Sequence, residues 1–398
     1  MLFCRYVWFR GFPYSKQPAR PLSAWNDSIP SFQENALMNL QLSLPDPELF
    51  ATRLSEWFIT AMRPLPWRKT YDPYSVWISE IMLQQTQMER GVRYFNSWMR
   101  RFPDIKSVAD ATEEDVLASW EGLGYYSRAR NLHAAAKCIV AEHGGVFPRE
   151  VEAIRHLPGI GDYTAGAIAA IAFNIPEPAV DANVLRIFSR ICDIDKPVTE
   201  KEVRKAVTAL VRKLIPSDSP RVFNQALMEF GALVCVKSPR CGECPLTDFC
   251  LAFRRETVGE RPGKREKAAY RALEMVSGVI MCKGLVFVRK RPQGGLWPGL
   301  WEFPGGPTVP EEKAEQAVVR FGAEAVGVPV TVRNKIATVK HGYTIWRVTL
   351  GGFLCDAEDG GERMFREEAE RKWVRPDELK KYAFSAGHRK LLELLGWK

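Results

Sequence analysis

The sequence predicts a multidomain protein, an all-α region followed by a smaller α+β domain. Three observations predict it. Apolar residues recur with helical spacing from Asp46 to Cys250, a charged and apolar-poor stretch runs from Leu251 to Leu273, and β-branched, partly alternating segments follow. A length of 398 residues suits two or three domains. The boundaries read as an N-terminal extension over 1–44, a helical region over 45–250, a basic linker over 251–273 and an α+β domain over 274–398.

Residues 1–25 are aromatic and basic, with Arg5, Arg10, Lys16 and Arg20 and no acid before Asp27. A transit peptide has that composition, but Pro13, Pro18 and Pro21 would interrupt its amphipathic helix. The segment reads better as a disordered extension, or as a misassigned start with Met38 as initiator. The helical region then offers amphipathic stretches at Pro47–Met62, Ser75–Gln87, Glu113–Trp120 and Asn131–His143. Asp162–Phe173 is small and apolar on every face, which predicts a buried central helix. Leu157-Pro158-Gly159 and the Pro176–Pro178 segment mark turns. Leu251–Leu273, with Arg-Pro-Gly at 261–263, reads as a linker basic enough to lie along DNA. Beyond it, Met275–Val288 and Thr331–Leu354 predict strands, and Glu311–Phe321 and Ser385–Leu395 predict helices.

Bulk chemistry narrows the function. The chain carries 56 Lys and Arg against 47 Asp and Glu, a formal charge of +9, which suits a polyanionic partner without proving one. No apolar run is long enough to span a bilayer, so no membrane partner is expected. Four of the nine cysteines fall between Cys235 and Cys250, while Cys4, Cys138, Cys192, Cys282 and Cys355 are scattered. A tight cluster with lone thiols elsewhere reads as metal binding in a reducing compartment, and the scattered five as buried small hydrophobes. The spacing Cys235-x5-Cys241-x2-Cys244-x5-Cys250 suits either a 4Fe–4S cluster or a structural zinc.

Leu157-Pro158-Gly159-Ile160-Gly161 lies between two predicted helices. Gly159 and Gly161 allow positive φ and close approach of a ligand, and the first-turn amides of the next helix point at an anion such as a DNA phosphate. The segment reads as the hairpin of a helix-hairpin-helix element, although taken alone it is usually an ordinary corner between helices. Twenty residues beyond it stands Val180-Asp181-Ala182-Asn183-Val184, where Asp181 can stabilise a cationic sugar, cap a helix, or do both. Upstream, Glu80 is one acid among large apolar residues on a predicted helix, surroundings that raise a carboxyl pKa towards the range of a general acid.

Together these strings resemble the MutY family of adenine DNA glycosylases. Ser79-Glu80-Ile81-Met82-Leu83-Gln84-Gln85-Thr86-Gln87 is similar to the family's catalytic helix. Leu65-Pro66-Trp67-Arg68, Trp120 to Leu132 and Phe223 to Leu227 match as well. The resemblance is specific from about Phe50 to Cys250. It implies that Glu80 protonates adenine and later handles the water, and that Asp181, with Asn183 beside it, supports the oxocarbenium-like sugar. It implies that Gln85 and Tyr125 fill or wedge the base stack, with Thr86 and Leu123 close by. Trp67, Arg68 and Gln225 would line the adenine pocket. Tyr163 stands where the similar endonuclease III family carries a Schiff-base lysine, which implies hydrolysis without strand cleavage.

The resemblance also implies a 4Fe–4S cluster on Cys235, Cys241, Cys244 and Cys250, although the family's first gap is one residue longer. Lys237 and Arg240 in that loop would suit phosphate contact. Gly294–Gly306 resembles the Nudix-like module of the same family. Glu312, Arg320 and Glu324 keep the Nudix spacing, but Phe321 and Ala325 replace two acids, so nucleotide hydrolysis is not expected. Tyr343-Thr344-Ile345 aligns with the loop that contacts 8-oxoguanine, where Thr344 keeps a hydroxyl and the histidine is lost.

The expected partner is duplex DNA with an A:8-oxoguanine or A:G pair, bound by a monomer. In a bacterium that places the protein on the cytoplasmic nucleoid, and in a eukaryote in the nucleus or mitochondrion. An endonuclease III-type lyase would need an amine at 163, and a non-catalytic iron–sulfur DNA-binding protein would not need both Glu80 and Asp181.

Overall fold

The computed structural model describes the chain from Leu42 to Trp397 apart from residues 265–269, 293, 295, 310, 344 and 367. Most of the expected N-terminal extension therefore lies outside the described residues. Its last part does not hang free, since Leu42 and Leu44 pack on a helical core.

The helical half contains α1 (Pro47–Ala61), α2 (Pro73–Leu83), α3 (Met88–Arg101), α4 (Ile105–Asp110), α5 (Glu113–Trp120) and α6 (Ser127–His143). It continues with α7 (Val151–His156), α8 (Asp162–Phe173), α9 (Ala182–Ile191), α10 (Lys201–Leu214), α11 (Pro220–Leu233) and the short α12 (Leu251–Arg254). These helices enclose two separate cores. One gathers Trp77, Trp98, Trp120 and Ile168 from α2, α3, α5 and α8. The other gathers Phe50, Phe188, Leu210 and Phe230 from α1, α9, α10 and α11. Helix α8 is buried on every face from Thr164 to Ile171, as its composition predicts. Gly166 lets it approach the next segment, because a Cβ there would stand 2.2 Å from the Pro178 carbonyl oxygen.

Helix α2 starts cleanly. Asp72 accepts the Ser75 amide at 2.8 Å and Pro73 presets the first turn. It ends at Leu83, earlier than the periodicity suggests, because Gln85 turns left-handed at φ +59°. The predicted linker is corrected too. Ala252 is buried, and Thr257, Arg255 and Arg261 all converge on the Asp193 carboxylate, at 2.6, 3.1 and 2.7 Å. Two of the basic residues that suggested a free linker, Arg255 and Arg261, are ion-paired to Asp193 just beyond α9, so the helical unit runs on to about Gly263.

The C-terminal half is a seven-stranded sheet of β1 (Arg271–Cys282), β2 (Leu285–Lys290), β3 (Trp301–Glu302), β4 (Gly305–Pro307), β5 (Val330–Tyr343), β6 (Trp346–Ala357) and β7 (Arg371–Val374). Its order is β3-β2-β1-β6-β5, with β4 on β1, β7 on β2, and β1 parallel to β6. The apolar stretch expected to be strand over Met275–Val288 forms a hairpin, turned at Lys283 and Gly284 with φ of +48° and +77°. Helix α13 (Ala314–Val326) covers one face and α14 (Ala386–Leu394) the other. Leu300 and Ala383 of this half are buried in the first helical core, so the sheet domain is docked on the helices.

Candidate active site

The two carboxylates come from helices of different cores and lie within electrostatic reach of each other. Glu80 sits on α2, 8% exposed, and Asp181 caps α9. Tyr163, in the first turn of α8, donates its phenol O–H to Glu80 Oε2 at 2.8 Å. Burial pushes the Glu80 carboxyl up to about 7, and nearby Asp181 adds to the rise. The Tyr163 hydrogen bond and the Arg68 charge work against it. The Tyr163 phenol is itself held well above its ordinary value by burial and by both acids, so it stays a donor. Asp181 is raised by burial as well, but it accepts Val184 N–H and Asn183 Nδ2 at 2.8 Å each, which favour its ionised form. One carboxyl is thus tuned to carry a proton near neutrality and the other is hydrogen-bonded as a carboxylate.

Of the predicted pocket wall, Arg68 and Gln225 are joined directly, Arg68 Nε to Gln225 Oε1 at 3.0 Å. Trp67 is buried against Phe95 at 5.1 Å between ring centres, inside the first core. Sequence reasoning missed Glu229, which holds this wall. It accepts Arg63 Nε and NH2 at 2.7 and 2.9 Å and Arg68 NH2 at 2.9 Å. Burial alone would raise its carboxyl, yet the two guanidinium groups outweigh burial and hold it at about 2. The signal available was a lone acid one turn after Gln225 on an apolar helix.

Gln85 and Tyr125 are exposed, and both adopt positive φ, +59° and +48°. Left-handed non-glycine residues cost energy and persist where the surroundings hold them. Arg128 holds both loops at once. Its guanidinium donates to the carbonyls of Ile81 (2.8 Å) and Gln84 (2.5 Å) on one side, and of Leu123 and Gly124 (3.2 Å each) on the other. Thr86 is partly exposed beside Gln85, whereas Leu123 is buried in the core beneath Tyr125. At the hairpin, only Gly159 has positive φ, +76°, and a Cβ there would stand 2.5 Å from Asn131 Cβ. Gly161 is extended instead, and its Cβ position meets nothing within 4 Å, which leaves the start of α8 open to a ligand.

Cys235, Cys241, Cys244 and Cys250 line one apolar cavity with Ile187, Ile191, Phe230 and Val234. Among the described residues, no three Cys, His, Asp or Glu side chains converge tightly enough for a single metal ion. Four sulfurs spread around a cavity suit a cluster better than a lone zinc. Burial pushes the Cys244 and Cys250 thiols up to about 12 and about 11, so thiolates there need a cationic group between them. Donors already face the sulfurs, Arg190 NH1 to Cys235 Sγ and Leu246 N–H to Cys244 Sγ, both at 3.4 Å. The residues therefore fit a 4Fe–4S cluster despite the short first gap. Lys237 and Arg240 are exposed on this loop.

Helix α9 joins the loop to the acids. Arg186 donates to Asn183 Oδ1 at 2.9 Å, to the Gly231 carbonyl at 2.7 Å and to the Cys235 carbonyl at 2.8 Å. Arg190 reaches the carbonyls of Val236 and Lys237. Asn183, Arg186 and Arg190 recur at helical spacing, a signal that sequence reasoning passed over. The scattered cysteines are less uniform than expected: Cys282 and Cys355 are buried, Cys138 and Cys192 are partly exposed, and Cys4 lies outside the described residues.

In the sheet domain, Glu312 is held by Arg320 Nε and NH2 at 2.8 Å each. Phe321 fills the space over Gly306, where a Cβ would stand 2.4 Å from its ring, and Ala325 is buried. Two apolar side chains thus stand where the Nudix pattern carries acids. Thr344 lies outside the described residues.

Residues 78–213 match the HhH-GPD superfamily of base excision DNA repair proteins, residues 237–250 the iron-sulfur binding domain of endonuclease III, and residues 276–394 the NUDIX domain. The iron–sulfur match begins after Cys235. The chain is 35% identical over 258 residues to an adenine DNA glycosylase of Buchnera aphidicola subsp. Schizaphis graminum, a match covering 64% of this chain and 74% of that protein. It is 34% identical over 323 residues to the adenine DNA glycosylase of Mus musculus, covering 67% of this chain, and 31% identical over 360 residues to that of Homo sapiens, covering 75%. The chain spans 62% and 65% of the length of these two mammalian relatives.

Proposed function

The chain belongs to the adenine DNA glycosylase family, and from that premise we propose that it hydrolyses the N-glycosidic bond of adenine mispaired with 8-oxoguanine or guanine in duplex DNA. The observation that carries this reading is the buried Glu80 carboxyl, held at about 7 beside Asp181 and bonded to Tyr163.

The adenine must leave the stack to reach these groups. Protonated Glu80 then gives its proton to a ring nitrogen of the purine. The C1′–N9 bond breaks with its electron pair leaving on the base, which departs neutral. Positive charge on the deoxyribose develops against the Asp181 carboxylate, preorganised by Val184 N–H and Asn183. Glu80, now ionised and steadied by Tyr163, takes a proton from the water that adds to C1′, which restores the starting acid. No amine stands at position 163, so an abasic site is left with the strand intact. One chain supplies both acids, which supports action as a monomer. Cys235, Cys241, Cys244 and Cys250 would hold the 4Fe–4S cluster, which would tie the loop they lie on to the neighbouring α9.

The test is direct. The chain is incubated with a duplex holding one A:8-oxoguanine pair, and free adenine and strand scission are followed separately. Free adenine with scission only after alkali is expected. Glu80→Gln should cut turnover by about a thousandfold while leaving duplex binding in place. Turnover retained in Glu80→Gln, or direct scission by the unaltered chain, would overturn the reading, the second outcome in favour of a lyase.

A further inference from the structure

The loop that carries Tyr125 is tied to the C-terminal domain at both ends. Immediately before it, Glu121 accepts Arg389 Nε and NH2 at 2.6 Å each and the Phe384 amide at 3.3 Å. Immediately after it, the Tyr126 phenol donates to the Phe384 carbonyl at 3.1 Å. Arg389 is fixed in turn by the Tyr382 carbonyl at 2.7 Å. Glu121 and Arg389 are only 20% and 21% exposed, so this is a planar fork held out of bulk water rather than a loose surface pair.

Between these two anchors the backbone turns left-handed. Gly122 and Gly124 take positive φ freely, +92° and +72°, whereas Tyr125 at +48° is strained. A non-glycine residue keeps that conformation only when its surroundings over-determine it. From the helical side the loop is held by Tyr94 on the Glu121 carbonyl, Arg90 on the Gly122 carbonyl, and Arg128 on the carbonyls of Leu123 and Gly124. From the other side come Arg389 and Phe384. Two further contacts dock the same surfaces close by, Arg130 on the Pro298 carbonyl and Lys290 on Glu114 at 2.5 Å. Tyr125 itself remains 43% exposed at the tip.

We propose that the Arg389–Glu121 pair is a positioning device through which the C-terminal domain holds the Tyr125 loop in its stack-probing shape, so that engagement of the base opposite adenine by that domain sets how well the helical domain unstacks the mismatch. The inference rests on the proposed function, because it takes Tyr125 to enter the stack. Its consequence is specificity. A duplex that engages the C-terminal domain well gains from a stiff connection to the loop, and one that engages it poorly gains less.

The experiment uses the full chain with its cluster and three variants, Arg389→Met, Arg389→Lys and Glu121→Gln. Loop insertion is read without chemistry in a Glu80→Gln background, from the fluorescence rise of 2-aminopurine placed beside the mismatch. Adenine release from A:8-oxoguanine and A:G duplexes is measured separately with Glu80 intact, and melting temperature is recorded for each variant. Arg389→Met should lose most of the fluorescence rise and narrow the ratio of the two release rates by about tenfold. Arg389→Lys, which keeps the charge but not the fork, should fall between. It decides the question in the same way if the methionine variant does not fold. A lower melting temperature with an unchanged fluorescence rise and an unchanged rate ratio would reduce the pair to an adhesive contact and overturn the proposal. An unaltered chain that releases no adenine would defeat the proposed function instead, and the fluorescence arm would still report on the loop.

Discussion

The Tyr163 phenol donates to Glu80 Oε2 at 2.8 Å, and among the described residues it is the one hydrogen bond that opposes burial at that carboxyl. Burial favours the protonated acid and the phenol favours the carboxylate. The catalytic acid must start protonated, so adenine release should fall as pH rises through about 7. Tyr163→Phe removes the donor and leaves only the Arg68 charge against burial. The alkaline limb of the single-turnover profile should then move upward by about one unit, the scale of one hydrogen bond to a charged group. A limb that stays in place or moves down would show that the phenol does not tune the acid.

Glu229 makes the opposite case. Its folded pKa is about 2, below the ordinary 4.5, because Arg63 and Arg68 overcome its burial. A depressed carboxyl adds stability above its unfolded pKa, and that stability is lost as pH falls through the folded value. The clamp should therefore contribute fully above about pH 5 and fade between about 4.5 and 2. Glu229→Gln leaves two guanidinium groups without their counter-charge and should cost about 3 kcal/mol near neutrality. Urea midpoints measured across that range should converge for the two proteins at the acid end. A gap that stays constant with pH would mean the effect is packing and not charge.

Much of this site was legible because its signals are local. Asp181 caps the helix that follows it, Gly159 turns a hairpin, and Glu80 stands out as an acid among apolar neighbours, each within a few residues. The ties that make the site work are not local. Glu229 reaches Arg63 across 166 positions, and Arg389 reaches Glu121 across 268. No periodicity or spacing reports such pairs. The linker misled for the same reason: Arg255 and Arg261 looked free until Asp193, from the end of another helix, was placed against them. Composition identified the Phe321 and Ala325 substitutions, but only packing explains them, since Phe321 fills the room over Gly306.

The cysteines give a prediction that separates neighbours. Cys192 lies at the end of α9, within electrostatic reach of Cys250, and burial pushes it up to about 12. It is not among the thiols that line the cavity, whereas Cys235 is. Cys192→Ser should keep the brown colour and the iron content of the preparation, and Cys235→Ser should lose both. Iron retained without Cys235 and lost without Cys192 would reassign the ligand set, and would tie that change to the shortened gap.

Arg128 offers the sharpest test of how the two residues proposed to enter the base stack are held. Gln85 and Tyr125 lie on different loops, both left-handed, and the same guanidinium donates to carbonyls flanking each. Its plane also lies over Trp120 and Tyr125, at 5.3 and 5.6 Å from their ring centres. A lysine can replace the charge but not a planar fork that bridges two loops. Arg128→Lys should therefore leave duplex affinity, which is dominated by phosphate contacts, within a few-fold, and lower single-turnover adenine release by about a hundredfold through misplacement of the loops. Unstacking of 2-aminopurine beside the mismatch should weaken in parallel. If affinity falls as steeply as rate, Arg128 contacts the DNA backbone and does not act through the loops. If neither changes, the left-handed turns at Gln85 and Tyr125 are held by the rest of the core without it.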